Sequence, residues 1–387
     1  MKAAILGAGG LGRTIALELA SDRRVSEIVL LDRRGDRSRA LQSIGRNVAV
    51  TALQADVTDA AGLRRALQKA DVAVNATLPD HNLAIMKACL DAGCGYVDTS
   101  ASQDTIVDQM ALDEAWRSRG LSAIMSMGSD PGISNIMARA AAERFTSIDG
   151  IRVRWAATGS KEIEGFPLYS REIFLQDALS RPVIWDGQKI VEQEIGSGHE
   201  TYDFPSPVGP RSVQLFWHEE VITLPKRLGK AVGYVDYKHA IDANLVRAVY
   251  ELNALGLLAP ERRVKIGDRA VPFREAFLAA FPEPSTLIGP LAGNLTIVVQ
   301  IDGTKTDGSK GTVRIWVLVE HREANRRRGT TAEYFLTAAC AAAGMSLLGQ
   351  KKAPRPGVLV PEELPPDLIV PELEQRGVTF HVEETTG

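Results

Sequence analysis

The chain has 387 residues, is 45% hydrophobic and carries a net charge of −3, enough for two domains with buried cores. Acids and bases are spread along it, and the one dense basic run, Arg326-Arg327-Arg328, reads as a solvated loop, so nucleic acid is excluded as a partner. Cys89, Cys94 and Cys340 are too few and too scattered for a disulfide framework or a zinc site. Met1-Lys2 runs straight into an apolar segment, with no signal peptide, and residues 335–348 are too short and too rich in Ala and Gly to span a bilayer. A cytoplasmic protein with no membrane partner is expected.

Strand patterns at residues 2–6, 28–31, 48–53, 72–76, 96–98 and 123–127 alternate with helical periodicity over 10–20, 37–44, 60–69, 83–92 and 105–117. Apolar runs separated by helices predict a parallel sheet buried on both faces. Six such strands complete a doubly wound α/β fold of the dinucleotide-binding kind. Past Asn135 the rhythm changes. Ile151, Val153 and Trp155 alternate with Arg152 and Arg154, as in a half-buried antiparallel strand, and similar alternation recurs over 212–218 and 231–237. A hairpin is predicted from 295–301 to 312–320 across the Gly- and Asp-rich loop 302–311. Helical periodicity covers 170–179, 240–255 and 273–281, so this middle part reads as a mixed α+β unit whose sheet has one covered face. A helix over 331–348, a Pro-rich connection and a short acidic tail follow.

The first strand leads into Gly7-Ala8-Gly9-Gly10-Leu11-Gly12, and the second ends in Asp32, twenty residues past the last glycine. That is a dinucleotide-binding fingerprint. Gly7 allows the tight turn, Gly9 lets backbone approach a pyrophosphate, and Gly12 lets the helix pack on the strand. The free N–H groups at Gly10 and Leu11 then face phosphate charge at a helix start. Asp32 favours NAD, because a carboxylate there accepts from the ribose hydroxyls and repels a 2′-phosphate. Arg33 and Arg34, with Arg37 and Arg39 beyond, suit a 2′-phosphate and keep NADP open.

In an open parallel sheet ligands lie at the carboxyl ends of the strands. The third strand leads to Asp56-Val57, a seat for the adenine edge, and the fourth to Ala76-Thr77, beside the nicotinamide ribose. The fifth leads to Asp98 and the sixth to Gly128-Ser129-Asp130-Pro131-Gly132. Asp56 and Asp98 are equally read as helix N-caps. Asp130 is bracketed by Gly128 and Pro131-Gly132, a stiff turn that holds a carboxylate at the mouth of the cleft, or else is a plain turn residue. In the middle part Tyr169, Arg171, Trp217, His218, Lys226, Lys238 and His239 are candidates for substrate contact. Arg171 could clamp a substrate carboxylate, or stand on the surface in the first turn of its helix. Trp217 and His218 are read as neighbours on one strand, so only one of them faces the cleft.

The glycine motif, Val74-Asn75-Ala76-Thr77, Gly95-Tyr96-Val97-Asp98-Thr99-Ser100 and above all Gly128-Ser129-Asp130-Pro131-Gly132-Ile133-Ser134-Asn135 resemble the saccharopine dehydrogenase-like reductases. That group includes saccharopine reductase, lysine 6-dehydrogenase and carboxynorspermidine dehydrogenase. The late segments Asp302 to Gly308 and Gly357 to Glu362 extend the resemblance over essentially the whole chain, and the total length and ending look most like lysine 6-dehydrogenase. The resemblance implies a dinucleotide domain of residues 1–130 and 328–387 enclosing a substrate and dimerisation domain of 131–327. It also implies nicotinamide-dependent oxidation or reduction of a C–N bond in an amino acid or secondary-amine conjugate, in a homodimer and without a metal. Asp130 and Asp98 would then face the substrate nitrogen, with Tyr169, Arg171 or Lys238 on the rest of it. A non-catalytic dinucleotide-binding sensor with the same fold is the alternative.

Overall fold

The computed structural model describes residues 1–44, 48–159, 166–287 and 291–386, and the statements below concern those residues. Strands β1 (Lys2–Leu6), β2 (Glu27–Asp32), β3 (Ala49–Gln54), β4 (Val72–Asn75), β5 (Gly95–Asp98) and β6 (Ser122–Ile124) form one parallel sheet in the order 3-2-1-4-5-6. All four residues of β4 are buried, as are Ala3 through Leu6 of β1, so both faces must be covered by helices. The strand order reverses between β1 and β4, which opens a crevice at their carboxyl ends. Helix α1 (Gly10–Ala20) follows β1 so closely that a Cβ on Gly12 would stand 1.8 Å from the Gly7 carbonyl oxygen. Only glycine fits there.

The end of the chain returns to this sheet. Residues Gly357–Leu359 pair in parallel with β6 as a seventh strand. Before it, the helix Ala332–Gly349 packs against α1, β4 and β5 and is buried along nearly its whole length. This helix is long and apolar enough to cross a membrane, but its apolar surface lies inside the protein. The predicted helix over 105–117 is two short ones, Ile106–Met110 and Asp113–Ser118. The Arg326-Arg327-Arg328 run is the last turn of the helix His321–Arg328 rather than a loop, where cations meet the negative end of the helix dipole.

A second, mixed sheet of nine strands is built around Phe145–Ala157. That strand pairs in parallel with Val235–His239 and antiparallel with Asn294–Lys305, which turns into Lys310–Glu320. The segment 302–311 is therefore no open loop, since pairing continues to Thr304 opposite Lys310. The acidic tail is an edge strand, Phe380–Thr386, paired with Lys310–Glu320. Val313, Ile315, Val317 and Val319 point into the main core, as a period of two requires. The opposite face is not simply wet. Ala156 and Val298 there pack with Phe204, Val208 and Val213 of the curling hairpin Glu200–Leu215.

Arg154, which alternation alone would leave half-exposed, is 1% exposed on that outer face. Its guanidinium donates to both carboxylate oxygens of Asp236, at 2.7 and 3.0 Å, and to Glu200 at 2.9 Å. Removing one partner of a buried pair leaves an uncompensated charge, so Asp236→Ala is expected to destabilise the fold by about 3 kcal/mol. Denaturant unfolding checks this, and the double variant Arg154→Met with Asp236→Leu should recover most of the loss.

Candidate active site

One cleft of about 1020 Å³ runs along the carboxyl edge of the parallel sheet and is closed on its other side by the second sheet. Gly7, Gly9, Gly10 and Leu11 line one end, while Gly12 lies beneath them against Gly7. No side chain caps α1 and no acid stands in its first turn, so its free N–H groups and dipole are left for an anion. No heavy atom lies within 4 Å of where a Cβ on Gly9 would be, the room that a pyrophosphate needs. Asp32 accepts 2.7 Å hydrogen bonds from the N–H groups of Ala8 and Arg34, and so fixes the glycine loop from the end of β2. Arg33, Arg34 and Arg37 share that wall. Asp56 holds Thr58 through its N–H and hydroxyl at 2.9 and 2.7 Å, leaving Val57 and Leu41 as the apolar slot nearby. At the end of β4, Asn75 anchors Thr77 through two hydrogen bonds, and Ala76 and Thr77 border the cleft. These groups fit a nicotinamide dinucleotide.

The inner end is chemically different. The loop after β6 presents Ser129 and Asp130, where a Cβ on Gly132 (φ +129°) would meet the Gly128 carbonyl at 2.1 Å. The helix Ala332–Gly349 brings Glu333 to the same place, and the second sheet brings Trp155, Tyr237 and His239. Ser129 Oγ lies between the two carboxyls, 2.9 Å from Asp130 Oδ1 and in close contact with Glu333 Oε1, and it also accepts from Thr337 at 3.2 Å. A hydroxyl donates only one proton. It can therefore serve only one of the two carboxyls at a time. Burial, and then the charge of Glu333, hold Asp130 well above the usual carboxylate range, and burial raises Glu333 too. Tyr237 donates to the other Asp130 oxygen, and Trp155 Nε1 donates to Glu333 Oε2 at 3.1 Å.

Around this pair stand further acids. Burial pushes Asp177 up to about 7 and holds Glu219 well above its ordinary value. Glu219 accepts from the Ala101 N–H, which ties the second sheet to the loop after β5. The cation among them is His218, whose Nδ1 is 2.5 Å from Glu220 Oε2. Burial opposes its charge, but Glu220, Asp130 and Glu219 outweigh that and push the imidazole up to about 10. His239 behaves in the opposite way. Stacked on Trp155 at 3.9 Å, it is held well below its ordinary value by burial and then by the charge of His218.

The cleft thus gathers Asp130 and Tyr169 with the residues at the cofactor end, and leaves three expected residues outside, among them Lys226, which is exposed on the helix Glu220–Arg227. Asp98 is 1% exposed and anchors the next strand end, accepting from the Ser126 N–H at 2.6 Å and from Gln109 at 2.7 Å. Lys238 alternates with Tyr237 and His239, so it points to the outer face, where it pairs with Glu200 at 3.0 Å. Arg171 does border the cleft, but its guanidinium is engaged by Glu283 at 2.7 Å and by the carbonyls of Leu278 and Phe281. Trp217 and His218 both line the cleft, because the strand ends at Leu215 and its alternation no longer applies. Glu333, Tyr237, Asp177 and Glu219 escaped the sequence reading. Glu333 carried a signal, being the one charged residue in an otherwise apolar helix.

Residues 3–124 match the model of the saccharopine dehydrogenase NADP-binding domain, and residues 128–378 that of the saccharopine dehydrogenase C-terminal domain. The carboxyaminopropylagmatine dehydrogenase of Synechocystis sp. is 26% identical over 393 residues, covering 98% of this chain and 97% of its own. The carboxynorspermidine synthase of Vibrio cholerae is also 26% identical, over 406 residues, with 98% and 96% covered. The apo saccharopine dehydrogenase (L-Glu forming) of Saccharomyces cerevisiae has the same fold, with a TM-score of 0.72 at 14% identity and 99% of both chains covered. The two domain matches span nearly the whole chain and agree with the glycine loop and the sheet that carries it, so this chain is an NAD(P)-binding oxidoreductase of the saccharopine dehydrogenase family.

Proposed function

We propose that this protein forms or cleaves the C–N bond of a cationic amine conjugate, by hydride transfer between NAD(P) and the carbon that bears the nitrogen. The observation that carries this reading is the inner end of the cleft. Asp130, Glu333, Glu219 and Asp177 gather there, while Arg171 is already paired. A buried site rich in raised carboxyls gains most from a ligand that brings positive charge. The names of the two relatives, a carboxynorspermidine synthase and a carboxyaminopropylagmatine dehydrogenase, favour an amine conjugate over a plain amino acid. Reactions of the saccharopine reductase and lysine 6-dehydrogenase types share the same step at carbon.

In this reading residues 1–130 and 328–387 hold the dinucleotide, and residues 131–327 shape the substrate pocket. The nicotinamide, when bound, supplies or takes the hydride. Asp130 and Glu333 bind the substrate ammonium, and Tyr237 and Ser129 orient those carboxyls. Trp155 and Trp217, both buried in the cleft wall, keep water from the reacting carbon. Asp32 makes NAD the preferred cofactor. The test is turnover of reduced nicotinamide with both cofactors across saccharopine, carboxylated polyamines, lysine, ornithine and free polyamines. Activity with an amine conjugate is expected in at least one direction. Cofactor binding with no turnover across the panel would instead leave a dinucleotide-binding regulatory protein.

Two substitutions separate the ends of the cleft. Asp32→Ala removes a ribose acceptor and a charge that repels phosphate, so NAD affinity should fall roughly tenfold while the relative use of NADP rises. A wild type that already prefers NADP strongly would assign the specificity to Arg33 and Arg34. Asp130→Asn keeps the shape of the turn and loses the charge. A charge-assisted hydrogen bond is worth about 1.5–3 kcal/mol, so kcat/KM for the amine should fall roughly ten- to a hundredfold with cofactor affinity unmoved. Steady-state kinetics and dinucleotide titration read the two effects separately.

A further inference from the structure

Resting on the amine-oxidoreductase reading above, we propose that His218, positioned by Glu220, is the proton donor and acceptor of the reaction. His218 stands between the strand Gly209–Leu215 and the helix Glu220–Arg227, on the wall of the cleft. Two contacts fix its ring. Nδ1 lies 2.5 Å from Glu220 Oε2, and Glu220, fully buried, accepts from Ser134 Oγ at 2.7 Å through its other oxygen. Ser134 opens the helix that follows the Asp130 loop, so the dyad is anchored to the same turn that presents Asp130. The imidazole lies flat on Tyr237, with ring centres 3.7 Å apart and planes 11° apart, and Tyr237 donates to Asp130. With Nδ1 engaged, Nε2 is the ring atom left for a ligand. It has no hydrogen-bond partner among the described residues.

The groups that act on this ring come from every element around it. Glu219 and Glu220 stand beside it in sequence, Asp130 across the cleft, Glu333 on the returning helix and Asp177 on the helix Arg171–Leu179. The phenol of Tyr237 and the neutral ring of His239 complete the surroundings. The acids keep the imidazole charged through neutral pH. His239 cannot take the role, because its ring is packed on Trp155 and near Phe216 and its Nδ1 is buried with no partner.

The chemistry balances as follows. In the joining direction the amine adds to a carbonyl compound and gives a carbinolamine. His218 donates its Nε2 proton to the carbinolamine hydroxyl, the C–O bond breaks, and water leaves. The nitrogen lone pair forms the C=N bond of an iminium ion, and His218 is left neutral. A reduced cofactor held at the glycine loop would supply the hydride that converts the iminium carbon to that of a secondary amine. In the cleaving direction neutral His218 takes the proton from water as it adds to the iminium carbon. A ring charged at rest therefore favours joining at neutral pH and cleavage at alkaline pH.

The test compares the wild type with His218→Asn, His218→Gln and Glu220→Gln, following kcat against pH in the joining direction and dinucleotide binding for each. General acid catalysis is typically worth about 10²–10⁴-fold, so the His218 variants should lose about a hundredfold or more in kcat while binding cofactor normally. Glu220→Gln should cost less in kcat and move the alkaline limb of the profile downward by about one pH unit or more, because the counter-ion that holds the proton is gone. A His218→Asn enzyme within about threefold of wild type with the same alkaline limb overturns the assignment. So does an unmoved limb in Glu220→Gln. A wild type that turns over no amine–carbonyl pair fails at the earlier step, and removes the oxidoreductase reading and this assignment together.

Discussion

The proton shared across Ser129 between Asp130 and Glu333 is the constraint on which the inner cleft depends. Two buried carboxyls compete for the one proton Ser129 has to give, and burial raises both of them. A proton on either carboxyl relieves the repulsion in this acidic, desolvated pocket. A ligand cation can take its place. The pocket is then neutral to the same degree before and after binding, and the exchange is stabilising only for a group that brings its own positive charge. In the proposed reaction, selectivity for an ammonium would follow from this exchange rather than from shape.

Strand periodicity decides which residues share in that chemistry. In Val235–His239, Tyr237 and His239 face the cleft, while Asp236 and Lys238 face the outer side of the sheet. The same rule places Trp155 at the cleft and buries Arg154 behind it, against Asp236. Each face is therefore internally consistent: raised acids with one charged histidine, His218, on the inside, and two cations with two carboxylates on the outside. A one-residue slip would move Lys238 into the acidic pocket and Tyr237 out of it. The pairing of Arg154 with Asp236 penalises that slip, because it would leave Asp236 without its partner and the buried Arg154 with Glu200 alone.

The parallel sheet was legible in the sequence because its central strands are apolar on both sides and its strands are separated by helices. The glycine loop and Asp32 were legible because backbone approach to phosphate admits few residues. Gly357–Leu359 and Phe380–Thr386 were not, since three residues of strand, or an exposed edge strand, carry too little periodicity to stand out. The resemblance, and not the pattern of residues, pointed to the return of the chain. At the site the limits were of another kind. Asp130 showed itself through its turn, but its partner Glu333 lies 203 residues later, and no local rule brings the two together. Lys238 and Asp98 have the right chemistry on the wrong face or at the wrong depth, and only the three-dimensional packing distinguishes them from His218 and Asp130.

Separating the acids into two groups also separates their tasks. The Asp130–Glu333 pair holds a proton that a ligand cation can displace, because its members compete for one hydroxyl. Glu220 does not compete. Its oxygens are taken by Ser134 and by His218, so it remains a fixed counter-ion to the imidazole whatever occupies the cleft. In the proposed reaction, charge brought in by an amine would therefore act mainly on the first pair and leave the dyad charged. Tyr237 touches both, stacking on one and donating to the other, and so keeps the binding carboxyl and the proton-carrying ring in one register. Carboxyls with equal access to each other would relax together when a cation entered, and the proton on the ring would be lost with them. The division between a shared proton and a dedicated counter-ion lets one small, acidic, largely buried pocket bind a cation and still keep an acid in reserve.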